Sequence, residues 1–86
     1  MDLPSIEQRL VNGDALKVKY RYPCQDSGQG GHRTHGVRTD KLVDVSVELN
    51  RLYTLFRGVT PIWLDQEDVI EILPDDGVYE EFPDES

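Results

Sequence analysis

Apolar and polar positions along this chain fall into periods that change abruptly at glycines and prolines. Leu3, Ile6, Leu10 and Val11 recur at helical spacing. Pro4 suits a first helical turn and Gly13 the position just past the last, while Ser5 and Gln8 offer a capping box. So short a helix is marginal alone and needs a surface to dock on; it is expected as a lid over one end of a barrel. Ala15 to Tyr22 then alternates: Leu16, Val18, Tyr20 and Tyr22 point one way, Lys17, Lys19 and Arg21 the other. That is the pattern of a half-buried strand, expected to end at Pro23. The fourteen residues 23–36 carry four glycines and no apolar period. They read as a flexible loop, functional or disordered.

Val37 to Leu42 predicts a short strand or an approach to one. Val43 to Leu49 alternates again, with Val43, Val45, Val47 and Leu49 expected inward. Asn50-Arg51 offers a turn, Leu52 to Phe56 a strand with Tyr53 and Leu55 inward, and Arg57-Gly58 a second turn. Val59 to Leu64 predicts a strand with Ile62 and Leu64 inward. Pro61 lacks an N–H and so belongs at an edge or a bulge. Asp65 to Asp68 reads as a one-turn polar step, and Val69 to Leu73 as a last strand with Ile70 and Ile72 inward. Pro74-Asp-Asp-Gly77 ends it. The expected fold is mainly β with a small helical part: a five-stranded, strongly bent antiparallel barrel of the Sm/SH3 type, occupying 1–77, with an acidic tail at 78–86. A frayed terminus is the favoured reading of that tail, over one that lays Tyr79 and Phe82 on the barrel.

Charge sharpens the picture. The 86 residues carry a formal charge of −8, but unevenly. From Met1 to Arg57 nine bases face seven acids, a balance of +2; from Gly58 to Ser86 there are ten acids and no Lys or Arg. Phosphate binding needs a net basic footprint, so nucleic acid is not expected as a direct ligand of the whole chain. A protein partner with a basic surface is. The absence of a long apolar run predicts no membrane span. The first fifteen residues lack a basic segment followed by an apolar one, so no secretory signal is expected. Cys24 is the single cysteine, which fits a cytoplasmic compartment; a bacterial or phage source is the expectation.

Candidate chemistry is sparse. Cys24, His32 and His35 make a weak metal set, one ligand short of a structural zinc site, and a Cys–His nucleophile pair lacks an ordered element to hold it. The glycines match no phosphate-binding spacing. No catalytic constellation stands out, and neither an enzyme nor a cofactor is expected. Trp63 points away from Ile62 and Leu64, as does Phe56 from Leu55, and outward aromatics mark interfaces. Trp63 with Asp65, Glu67, Asp68, Glu71, Asp75 and Asp76 is therefore the expected partner-binding set. Two alternatives remain: a ligand or metal sensor using residues 23–36, and direct RNA binding through Lys17, Lys19, Arg21, Arg33 and Arg38. Exposed edge strands also offer a route to a homo-oligomer.

The order of helix, Lys-rich strand, long loop, Val-rich strand, Leu52-Tyr-Thr-Leu-Phe56 and Ile62-Trp-Leu-Asp-Gln-Glu-Asp-Val-Ile-Glu-Ile72 resembles three Sm-like bacterial groups. These are the Rof-type modulators of Rho-dependent termination, the YolD-like proteins and the WYL ligand-sensing domains. The similarity spans 5–73 and is most specific at Leu64-Asp65-x-x-Asp68-Val69-Ile70. Length and acidity are most similar to the Rof type, whose resemblance implies a non-enzymatic regulator that binds the RNA-binding surface of a transcription terminator. The chain departs from that group in its Gly-rich 23–36 segment and its tail, and the WYL motif is not reproduced.

Overall fold

The computed structural model describes residues 2–25 and 33–83. One helix, α1 (Leu3–Val11), leads into β1 (Leu16–Gln25), β2 (Arg33–Ser46), β3 (Arg51–Phe56), β4 (Thr60–Asp65), a one-turn 3₁₀ helix (Gln66–Asp68), β5 (Val69–Pro74) and β6 (Glu81–Pro83). All pairings are antiparallel, in the order β4-β3-β2-β1-β5, with β6 alongside β2. The expected closed barrel is not formed. β4 and β5 stand at opposite ends of the order, so the sheet keeps two edges.

Local chemistry accounts for the elements. Asp2, not Ser5, caps α1 by accepting from the Ser5 amide at 3.4 Å. Gly13 takes a left-handed φ of 94° just beyond the helix, as its position predicts. α1 docks on β2 and inserts Leu3 and Ile6 into the core formed by Leu16, Val18, Tyr20, Leu42, Val45, Leu52 and Leu64. β1 does not stop at Pro23: its ladder with β2 continues through Pro23↔His35 to Gln25↔Arg33. The 23–36 segment is thus partly a hairpin arm, with 26–32 outside the described residues. The β3–β4 hairpin turns at Arg57-Gly58 as expected, with φ of 55° and 79°. Pro61 lies on edge strand β4, where its missing N–H is tolerated.

Four residues expected inward are exposed: Val43, Val47, Leu49 and Ile70. Two of them sit at bulges. Leu42 pairs with Thr54 and Asp44 with Tyr53, so Val43 is the extra residue, and alternation restarts with Val45 inward. On β5, Lys19↔Glu71 is followed by Tyr20↔Val69, which skips Ile70 in the same way. Val47 and Leu49 belong to a four-residue turn, 47–50, that replaces the expected Asn50-Arg51 turn; Asn50 closes it at a φ of 54°. β3 faces opposite to expectation. Leu52 and Thr54 are fully buried and Phe56 packs on the core, while Tyr53 and Leu55 are only half-buried. Thr54 is tolerated inside because its hydroxyl donates to the Lys41 carbonyl at 2.6 Å.

The tail is not frayed through its described length. Gly36, Val37 and Arg38 pair with Pro83, Phe82 and Glu81, and Glu80 exchanges two hydrogen bonds with Thr39, at 2.7 and 2.8 Å. β6 takes the edge of β2 beyond the stretch, Leu42–Ser46, that pairs with β3.

Candidate functional site

Two surfaces carry the chemistry. The first lies on β3 and β4. In their register Tyr53 faces Trp63 and Arg51 faces Asp65. The Tyr53 and Trp63 rings stack at 4.6 Å between centroids and tilt by 47°, and Arg51 Nε reaches Asp65 Oδ1 at 3.3 Å. Trp63 remains 48% exposed, an outward aromatic as expected. Phe56, expected beside it, is turned inward against the Tyr22 ring at 5.4 Å. Next to Asp65 an open depression of about 770 Å³ is lined by Leu49, Asn50, Gln66, Glu67, Val69 and Ile70. The turn 47–50 and the Ile70 bulge therefore place apolar side chains beside acidic ones at this end of the sheet.

The expected acidic set divides. Asp65, Glu67 and Asp68 share the β4–3₁₀ corner, and among the described residues Glu67 and Asp68 form no ion pair. Glu71 lies on β5 opposite Lys19. Asp75 and Asp76 are engaged within the chain. Asp75 accepts from the Tyr79 hydroxyl and from the Gly77 amide. Asp76 accepts from Lys17 Nζ at 2.8 Å and from the Val78 amide. Lys17 lies on the outward side of β1 by alternation, yet it is only 8% exposed, covered by this turn, and also donates to the Val78 carbonyl. The Lys17 bond, with help from the Val78 amide, draws the Asp76 carboxyl below its usual range.

The second surface was missed from sequence. Along the inner face of β1–β2 the side chains change from apolar to polar: Leu16, Val18 and Leu42 give way to Tyr20 and Asp40, then to Tyr22 and Arg38. Asp40, 1% exposed, accepts from the Tyr20 hydroxyl at 2.6 Å and from Arg38 Nε and Nη2 at 3.0 and 3.3 Å. Burial, then the bond to Asp40, raises the Tyr20 hydroxyl far above its ordinary range; the same carboxylate raises the Arg38 guanidinium. Arg38 Nη1 reaches Glu81 Oε2 at 3.1 Å. The other Glu81 oxygen accepts from the Tyr22 hydroxyl and faces Arg57 Nη2 at 3.8 Å. Both guanidiniums also approach the Phe56 ring, Arg38 at 5.1 Å and Arg57 at 5.2 Å from its centroid. The Tyr22 hydroxyl, then Arg38, lowers the Glu81 carboxyl. The one sequence signal was the i, i+2 spacing of Arg38 and Asp40, which puts opposite charges on one strand face.

Of the basic set considered for RNA, Arg38 and Lys17 are thus bound to carboxylates of the chain itself. The metal candidates Cys24, His32 and His35 fall outside the described side chains. Among the described residues no three His, Cys, Asp or Glu side chains are grouped to hold a metal ion, and no helix is long and apolar enough to cross a membrane. Comparison with protein-family models, curated proteins and solved structures finds no match.

Proposed function

We propose that the protein is a non-enzymatic interaction module of the Sm/SH3-like class that regulates a component of nucleic-acid machinery by binding its basic surface. The class reading is supported by the strand order β5-β1-β2-β3-β4 behind an N-terminal helix, with a one-turn link between β4 and β5. One observation carries the functional reading: a half-exposed Trp63, held by Tyr53, stands beside the acidic corner of Asp65, Glu67 and Asp68. Interface centres are enriched in Trp and Tyr, and charges at the rim steer a partner of opposite sign. Glu71 extends the acidic surface along β5, whereas Asp75 and Asp76 serve the tail turn and drop out of the proposed set.

Trp63 is the single tryptophan, so its emission reports directly on this face. Titration with the RNA-binding domain of a transcription terminator is expected to shift that emission. The affinity is expected to fall steeply as salt rises, because exposed charges are screened within about 8 Å at physiological ionic strength. Joint reversal of Asp65 and Asp68 to Lys is expected to weaken binding at least about tenfold, equivalent to 1.4 kcal/mol. No emission change, or binding indifferent to salt and to this reversal, rules the reading out.

A further inference from the structure

We propose that the edge of β2 from Gly36 to Thr39, with Tyr22, Arg38 and Arg57 beside it, is a binding site for an extended acidic peptide of a partner protein, which the chain's own tail occupies. This site is separate from the Trp63 face and does not depend on its reading.

The donors come from three places in the fold and meet on one carboxylate. Tyr22 on β1, Arg38 on β2 and Arg57 in the turn after β3 all address Glu81. Arg38 is 7% exposed and spends Nε and Nη2 on Asp40, which leaves Nη1 directed at the Glu81 position. Asp40 already balances the Arg38 charge, so Nη1 remains to give a charge-assisted hydrogen bond to a carboxylate at the Glu81 position, whichever chain supplies it. Gly36 completes the arrangement. The Tyr22 ring lies so close that a Cβ at residue 36 would fall 2.5 Å from it, and this contact sets the phenol over the glycine with its hydroxyl on Glu81.

The occupant is held lightly. Tyr79, Val78 and Phe82 are all exposed, so the tail adds no side chain to the core. It stays in place through carboxylates, the Lys17 bond to the Val78 carbonyl, Lys19 over the Phe82 ring, the three pairs of β6 and the two Thr39–Glu80 bonds. Segments with little apolar burial open at low cost. A phosphate polymer would satisfy the cations but not the amides and carbonyls of the β2 edge, whereas a peptide strand satisfies both. The register also sets the preferred sequence: a carboxylate on the inner face at Arg38, followed by an aromatic residue on the outer face, where Lys19 Nζ lies 5.4 Å from the Phe82 centroid.

The test uses the full-length protein and a fluorescein-labelled peptide of residues 78–83, read by anisotropy. The Glu81→Ala chain, whose tail no longer satisfies Arg38, is expected to bind the peptide at least about tenfold more tightly than the wild type, because a self-occupied site lowers apparent affinity by its free fraction. Adding Tyr22→Phe or Arg57→Ala is expected to reverse the gain, and a peptide with Gln in place of its second Glu is expected not to bind. Phe82→Ala loosens the tail from the other face of the strand without touching Arg38, and it is expected to act in the same direction. Equal binding by the wild type and both tail variants overturns the proposal. So does a single-stranded oligonucleotide that displaces the peptide from the Glu81→Ala chain at lower concentration than unlabelled peptide, which would assign the site to nucleic acid. A wild-type dimer that disappears in Glu81→Ala would assign it to a second copy's tail and overturn the partner.

Discussion

Asp40 gives up nearly all contact with water and recovers it as three hydrogen bonds from two side chains. Removing one member of a buried charged pair leaves the other uncompensated, which typically costs about 3–5 kcal/mol. Asp40→Ala is therefore expected to unfold much of the population at room temperature, a loss measurable by urea denaturation. Tyr20→Phe removes one hydrogen bond to a charged group and is expected to cost about 1.5–3 kcal/mol. The double variant is expected to cost less than the sum, since both act on one network. Sequence periodicity found part of this residue-scale picture. It turned Val18, Tyr20 and Leu64 inward and Trp63 outward, correctly. It reversed β3, because Leu52-Tyr-Thr-Leu-Phe56 has large apolar residues on both sides and a single buried Thr54 satisfied by a backbone carbonyl. Nothing local in those five residues separates the two faces.

Among the elements, β6 is the one whose attachment depends most on charge. Glu81 and Asp76 both have carboxyls lowered by their partners, Tyr22 with Arg38 and Lys17 respectively. A lowered folded-state value means that the native state holds fewer protons. The stabilisation is then complete above the ordinary values of 4.5 and 3.8 and is lost as pH falls through the lowered ones. The tail is expected to stay docked from neutral pH to about 4.5 and to release progressively in more acid solution. The Glu80 and Thr39 amide resonances should move together as these carboxylates take up protons; resonances that stay fixed through that titration would contradict it. Gly36→Ala is expected to release the tail at neutral pH, since the new methyl must push the Tyr22 ring away from Glu81. Protease cleavage after Tyr79 should then be faster. From sequence β1 was readable through alternation as far as Tyr22, and the β3–β4 hairpin through Arg57-Gly58. The β1–β2 hairpin was not, because its arm beyond Pro23 carries no apolar period. β6 was not: three residues on a segment of acidic composition carry no strand period, and only the distant Arg38 and Thr39 give them a place.

For the molecule as a whole, the uneven charge has a structural outcome. Acids of the last third lie against bases of the preceding part of the chain: Asp76 on Lys17, Glu81 on Arg38 and Arg57. Asp65, Glu67 and Asp68, at the β4–β5 corner, are exposed. Net charge and its division between halves were plain in the sequence; their mutual neutralisation needed the topology. Closure failed as an expectation because alternation predicts strands but not the partner at the far edge. β4 and β5 stay apart, joined by the 3₁₀ turn. An open edge invites strand addition, and a proline is one way to discourage it. Pro61→Val is expected to leave the fold intact and to raise concentration-dependent assembly, seen by light scattering; an unchanged particle size up to millimolar concentration would count against this.

The bulge at Val43 has an evolutionary corollary. One supernumerary residue resets the in-and-out parity of β2, so that Leu42 and Val45 both reach the interior despite their odd separation. Exchange of the Val43 side chain is thus open to drift, and so is loss of the residue, which would leave Leu42 and Val45 two places apart and both inward on an unbroken strand. Related chains should vary the identity of this position freely and, where they lack it, run β2 against β3 as a regular ladder with the same residues inside.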